Sequence, residues 1–314
     1  MAISIAEANA VSDFGYDKTL TSIVYEDSPF FMRLKQKNCI KQDGGTNIRW
    51  DVRYAELGNA DAVGPRDQIA FESKDTRTAA SLDWKYYLGH GLMNWDERLQ
   101  NSGKHKIINL IEDKSKEIKE DMYEKFADDL YATSQVTNNF APLAVAVDSS
   151  TTYAGIAVAD VSAWASTESV SVTLTLFSGT NSLAFMVAAS TFGKKSVNLH
   201  LTTRNLQNTF EALMIDQVRY EDVEMANAGF HNLTFKGAPV IADPKCPSTL
   251  WYGLNTDDID FVVHPDYNFN ISKWQDATQM GYPEALVKTM SVAANLKFKR
   301  RDTQFKYTAL VYTN

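Results

Sequence analysis

The side chains best suited to chemistry are scattered along this chain. Five histidines, His90, His105, His200, His231 and His264, occur among 314 residues, and none pairs with another as HxH or HxxxH. A zinc site needs its ligands held at tetrahedral distances, so isolated histidines are expected to be structural or surface residues. The two cysteines, Cys39 and Cys246, cannot form a CxxC redox pair or a four-thiolate site, and are too few for a disulfide framework. Reduced thiols are the expectation. No serine sits in a GxSxG elbow. Gly44-Gly45 lacks the lysine and hydroxyl of a phosphate loop, and no GxGxxG occurs.

Two charge clusters remain. Asp257, Asp258 and Asp260 lack the glycine and terminal glutamate of an EF-hand, so a solvated loop is expected, and Asp128-Asp129 is expected to be exposed as well. Lys297, Lys299, Arg300 and Arg301 form the one basic cluster, expected to be a charged turn or to pair with acidic groups of a neighbouring subunit. No catalytic residue, cofactor or metal ligand is therefore assigned. An enzyme with an unrecognised site stays as a remote alternative.

Bulk properties agree. A formal charge of −8 argues against a sequence-independent grip on nucleic acid, which depends on basic residues displacing counterions. Hydrophobic residues at 44% supply a packed interior. The opening Met1-Ala-Ile-Ser-Ile-Ala has no basic region or sustained apolar run, so no signal peptide is expected. No stretch reaches the roughly 18 apolar residues of a membrane span.

The elements that would position these residues are unusual in proportion. Residues 1–38 are irregular, with Asp27-Ser28-Pro29 and then Phe30-Phe31 as a bend with an aromatic anchor. Ile48, Trp50, Val52 and Tyr54 alternate with polar residues, as in a strand with one apolar face. A turn-forming stretch with Gly58, Gly64 and Pro65 follows, and Leu82, Trp84, Tyr86 and Leu88 alternate on the return. Arms of a dozen residues would reach on the order of 40 Å. A bare two-stranded ribbon is marginal in water, so this one is expected to rest on a neighbouring molecule. Residues 104–133 carry Ile107, Ile111, Ile118, Met122, Phe126 and Leu130 as one apolar stripe, with charges opposite. They predict a surface-lying helix about 45 Å long.

A mixed α/β region follows, with a helix over 182–192 and a helix capped by Thr202 or Thr203. Short strands are expected at 197–201, 233–243, 250–254 and 259–263. Leu286 to Phe298 alternates as a long strand, Lys299 to Asp302 makes a turn, and Phe305, Tyr307, Ala309 and Val311 alternate on the way back.

Several stretches carry a family resemblance: Tyr153-Ala-Gly-Ile156 before Trp164, Leu201-Thr-Thr-Arg204, Leu233-Thr-Phe-Lys-Gly-Ala-Pro-Val-Ile-Ala-Asp243, and Trp251-Tyr-Gly-Leu-Asn255. With the order of elements, they resemble the HK97-like major capsid proteins of tailed bacteriophages. The resemblance implies an α+β fold. Its parts are an N-arm (1–41), an extended β-hairpin E-loop (42–92) and a mixed α/β A-domain (138–274). A P-domain would combine the spine helix with long terminal antiparallel strands (93–137 and 275–314). It implies a homo-oligomer of pentamers and hexamers in an icosahedral shell around double-stranded DNA, held without sequence-specific binding. A scaffolding protein, a portal and decoration proteins are the implied partners. The virion, assembled in the host cytoplasm, is the implied location, with no membrane. An encapsulin-like nanocompartment shares the fold and is the alternative. Candidate subunit contacts are Phe30, Phe31, Trp50, Gly58, Gly64, Pro65, Arg66, Asp67, Trp84 and Tyr86.

Overall fold

The computed structural model describes residues 28–58, 60, 62, 64, 73–94, 96–97, 104–214, 233–278, 281 and 284–311. The chain enters helix α1 (Pro29–Gln36) through Pro29 at its first turn, where the fixed φ of proline suits a helix start. The first strands are β1 (Ile40–Gln42), β2 (Asn47–Arg53), β3 (Arg77–Asp83) and β4 (Lys85–Met93). Helix α2 (Lys104–Leu130) is next, 27 residues and so about 40 Å at 1.5 Å each. After it come β5 (Thr167–Val170), α3 (Leu183–Ala189), β6 (Leu199–Thr202) and α4 (Arg204–Leu213). Then follow β7 (Leu233–Phe235), β8 (Ala238–Ala242), β9 (Trp251–Leu254) and β10 (Ile259–Val263). The last are β11 (Asn270–Ile271), β12 (Gln275–Asp276), β13 (Leu286–Phe298) and β14 (Phe305–Thr308).

Among the described residues these strands form three sheets. The body sheet is built on the 13-residue β13, which pairs antiparallel with β4 along one side and with β10, β11 and β12 along the other. Parallel β1 extends it beyond β10. The second sheet runs β5-β14-β9-β6-β8-β7. Its β7–β8 turn puts both Lys236 and Gly237 at positive φ, the two-residue arrangement that hairpin twist favours. The third sheet is the ribbon β2–β3 alone. Helix α2 lies on the body sheet through Ile118, Met122, Phe126 and Leu130, all buried, with Phe126 against Tyr87 of β4 at 4.8 Å between rings.

Several expected boundaries move. Residues 29–42 are no loose arm: Phe30, Phe31 and Leu34 are buried, Phe31 meets Phe261 edge-on at 5.3 Å, and β1 is a strand of the body sheet. Residues 1–27 lie outside the described ones. The hairpin ladder ends at Asp83, and 85–93 pairs with β13 instead, so the returning half of the 42–92 segment belongs to the body. The 138–274 segment contributes β10 and β11 to the body sheet. β14 does not return along β13; it crosses to the second sheet, between β5 and β9. The connecting turn is held inside by Arg301, which is buried and bonded to the carbonyls of the 145–151 loop.

Candidate assembly surface

The basic cluster is engaged from within, two of its four members by carboxylates. Lys299 Nζ lies 2.8 Å from Asp260, Arg300 pairs with Asp302, and Lys297 covers the Trp50 ring at 5.0 Å. Arg301 is fully buried. It donates to the carbonyls of Val145, Ala146, Asp148 and Thr151 at 2.7 to 3.2 Å, with the rings of Tyr153 and Trp164 5.6 and 5.9 Å away. Burial lowers its pKa to about 10.

Asp258 and Asp260, expected in a solvated loop, are 2% and 4% exposed. Asp258 accepts from Lys195, Asn255 and Thr303, so an exposed lysine and two buried polar side chains satisfy it. Asp129 departs from the exposed position expected of it too. It is buried and accepts from Tyr87 Oη at 2.9 Å, Lys125 Nζ at 2.7 Å and Asn139 Nδ2 at 2.7 Å. Periodicity shows where an acid lies on a helix but not which distant donors arrive.

A cleft of about 470 Å³ opens at the ribbon's root, lined by Asp51, Arg53, Tyr54, Lys195, Arg300 and Asp302 among others. Of its charges, Lys195 pairs with Asp258 and Arg300 with Asp302, and no nucleophile is seated beside a base. Among the described residues no three His, Cys, Asp or Glu side chains gather as a metal site. None of their helices is long and apolar enough to cross a membrane. His200 is buried, its Nδ1 accepting from Trp251 Nε1 at 3.2 Å, and burial lowers its pKa to about 3. That is a core histidine kept neutral.

The ribbon and the strand after it carry the surface of interest. The inward face of the ribbon, Ile48, Val52, Ala80 and Leu82, is buried in the main core with Tyr153, Ile156 and Trp164. Ser81 N–H donates to the Ala154 carbonyl at 3.0 Å. The lower ribbon therefore rests on its own chain rather than only on a neighbour. Beyond Arg53 and Thr76, the described residues Glu56, Leu57, Gly58, Ala60, Ala62, Gly64, Ser73, Lys74 and Asp75 are all exposed, and Gly58 turns with φ +72°.

The contact candidates divide accordingly. Gly58 and Gly64 are at the exposed tip, and Pro65, Arg66 and Asp67 lie outside the described residues. Tyr86 is 71% exposed. Trp50 is half-buried, and its indole N–H finds no acceptor. Trp84 corrects the expectation: it is buried, donates from Nε1 to the Gly45 carbonyl at 2.8 Å, and meets His264 edge-on at 5.2 Å. Phe30 and Phe31 are likewise core. Leu88, 67% exposed beside Tyr86 on the same strand face, was missed. Its place in the apolar alternation was visible, but not that the strand changes sheets at Trp84.

No known family profile matches the chain, and no curated protein is similar to it in sequence. Solved structures are similar in fold. A chain of the cyanophage A-1(L) capsid asymmetric unit superposes with a TM-score of 0.66 at 20% identity, over 88% of this chain and 91% of that one. The capsid of a native GTA particle gives 0.58 at 9% identity, over 88% and 90%. The holo-SrpI encapsulin complex from Synechococcus elongatus PCC 7942 gives 0.53 at 10%, over 92% of each. The fold is thus the HK97-like α+β fold of capsid shells. Within that class, the similarity to the cyanophage capsid chain is the stronger of these three.

Proposed function

We propose that the chain is a tailed-phage major capsid protein. It forms pentamers and hexamers that close an icosahedral head around double-stranded DNA, in the virion after assembly in the host cytoplasm. The carrying observation is the ribbon, rooted in its own core yet exposed in every described residue from Glu56 to Asp75, within a fold shared with capsid shells. Exposed Tyr86 and Leu88 add an apolar area of the kind that interfaces use. Each subunit meets several neighbours, so moderate contacts sum around closed rings. No catalytic role is assigned: the buried carboxylates Asp129 and Asp258 are held by structural partners. A separate scaffolding protein, a portal and decoration proteins are the remaining partners, and the acidic chain encloses DNA without reading its sequence.

The similarity to the SrpI encapsulin supports a second reading, a nanocompartment holding protein cargo. Expression of the full chain, alone and with the scaffolding gene beside its own, followed by sedimentation and electron microscopy, tests both. Closed particles are expected. Particles containing nuclease-protected DNA support the phage head, and particles containing a cargo enzyme support the compartment. A discrete small oligomer under both conditions overturns the shell reading.

A further inference from the structure

The ribbon is a sheet of its own. Among the described residues one main-chain hydrogen bond ties its strands to the rest of the molecule, from Ser81 N–H to the Ala154 carbonyl at 3.0 Å. Tyr54 N–H donates to the Thr76 carbonyl, so the even residues of β2 and β3 bond to each other and the odd ones point their N–H groups outward. Ser81 therefore gives Ala154 an N–H that the ribbon ladder does not use. Ala79, exposed and two residues nearer the tip, has an outward N–H as well, and no described group accepts it.

The acceptor is anchored from behind. Tyr153 and Ile156 exchange N–H···O bonds at 3.1 and 3.0 Å around Ala154 and Gly155, both at positive φ, as in a two-residue hairpin turn. Ala154 is a non-glycine residue at φ +53°, and strain of that kind persists only where the surroundings over-determine it. Beneath the turn, β4 ends opposite Ala294 while β13 runs on to Phe298. The Tyr153 hydroxyl serves the main chain beyond that point, donating to the Leu296 carbonyl at 2.6 Å and accepting from Phe298 N–H at 3.2 Å. Arg301 fixes the approach to the turn through the Thr151 carbonyl at 3.0 Å. One short turn is thus pinned to the body sheet at its foot and bonded to the ribbon at its tip.

We propose that the Tyr153–Ile156 turn is a bracket that sets the angle at which the ribbon leaves the subunit, and through it the curvature of the shell. This rests on the shell reading and names the element that aims the arm. Apolar contact at the ribbon's foot resists separation from the core but is non-directional. A hydrogen bond has a preferred direction, so a single bond to an anchored turn orients what the apolar contact only holds. Every subunit carries the same bracket, and a change of angle is repeated at every position of a closed assembly.

Proline at the outward positions tests this in the full chain, because on an edge strand it removes an N–H without breaking the ladder behind it. S81P deletes the bond to Ala154, whereas A79P makes the same change nearby and deletes none. Y153F keeps the ring and releases the foot of the turn. Circular dichroism checks each subunit for folding. Sedimentation and electron microscopy then read total assembled protein and the share of it in closed particles of the unaltered diameter. S81P and Y153F should keep total assembly within about threefold of the unaltered chain but cut that share about tenfold or more, and A79P should change neither. Closed particles of the unaltered diameter from S81P, or from Y153F if S81P does not fold, overturn the proposal and leave the shell reading intact. An S81P chain that folds but stays dispersed does the same, since the turn then governs whether the ribbon engages and not its angle. So does an A79P chain as impaired as S81P. If S81P and Y153F both fail to fold, the turn is a core element and the bracket is refuted. An unaltered chain that forms no particles removes the shell reading and the bracket together.

Discussion

At the scale of single residues, Arg301 shows how a sequence can look like a surface charge and act as a core tie. It has no carboxylate in direct contact; its N–H groups are spent on carbonyls of the 145–151 loop, and aromatic rings close over it. The neighbouring Asp148 reinforces the same loop. Burial works against its ionised form, but the Lys306 ammonium and the N–H groups of Ser150 and Thr151 hold its pKa well below the ordinary carboxylate value. Replacing Arg301 with methionine keeps apolar contact with Tyr153 and Trp164 but leaves the Ala146 and Thr151 carbonyls without donors, while those of Val145 and Asp148 keep the Thr151 hydroxyl and the Ser166 N–H. Each buried unsatisfied group costs about 1–3 kcal/mol, so R301M should lower unfolding stability by about 2 kcal/mol or more. Urea titration of the disassembled subunit reads this out. A loss under about 1 kcal/mol would mean that water reaches those carbonyls and that Arg301 is not a tie.

Elements are positioned by close approach, and the approach of α2 to β4 depends on two glycines. A Cβ on Gly91 would sit 2.7 Å from Ile118 Cδ1, and one on Gly89 would sit 3.1 Å from Ile118 Cγ2. Glycine ordinarily weakens a strand; here it lets the long helix lie directly on the sheet. G91V should therefore destabilise the subunit by about 1–3 kcal/mol through overpacking, checked by thermal unfolding. The compensating truncation I118A in the same chain should recover part of the loss if this contact is the cause. Much at this scale was legible in the sequence: the alternation of residues 48–54, the stripe of α2 and the length of β13 each mark one apolar face. What escaped depended on which sheet a strand joins. Leu82, Trp84, Tyr86 and Leu88 alternate without a break, yet the inward phase shifts from Leu82 to Tyr87 because the chain leaves the ribbon for the body sheet at Trp84. β14 escaped similarly, since alternation says nothing about partners, and the candidate contacts Phe30, Phe31 and Trp84 turned out to be core for the same reason.

For the whole molecule, stability and association draw on different parts of the chain. The core runs through the body sheet, α1, α2 and the foot of the ribbon, while a second cluster fills the other sheet. Neither uses Glu56, Leu57 or Gly58. Deleting Glu56 to Asp67 should thus leave the urea midpoint of the subunit nearly unchanged, because exposed positions away from packed features shift stability by only about 0.5 kcal/mol each way. Particle yield should collapse, because the tip's contacts would form only between subunits. Circular dichroism and sedimentation on the same preparation separate the two effects. If the deleted chain unfolds, the tip belongs to the core of its own subunit; if it builds normal particles, the ribbon is not an arm between subunits. Only a folded chain that fails to close shells keeps both halves of the argument, a ribbon anchored at its foot by its own chain and engaged at its tip by another.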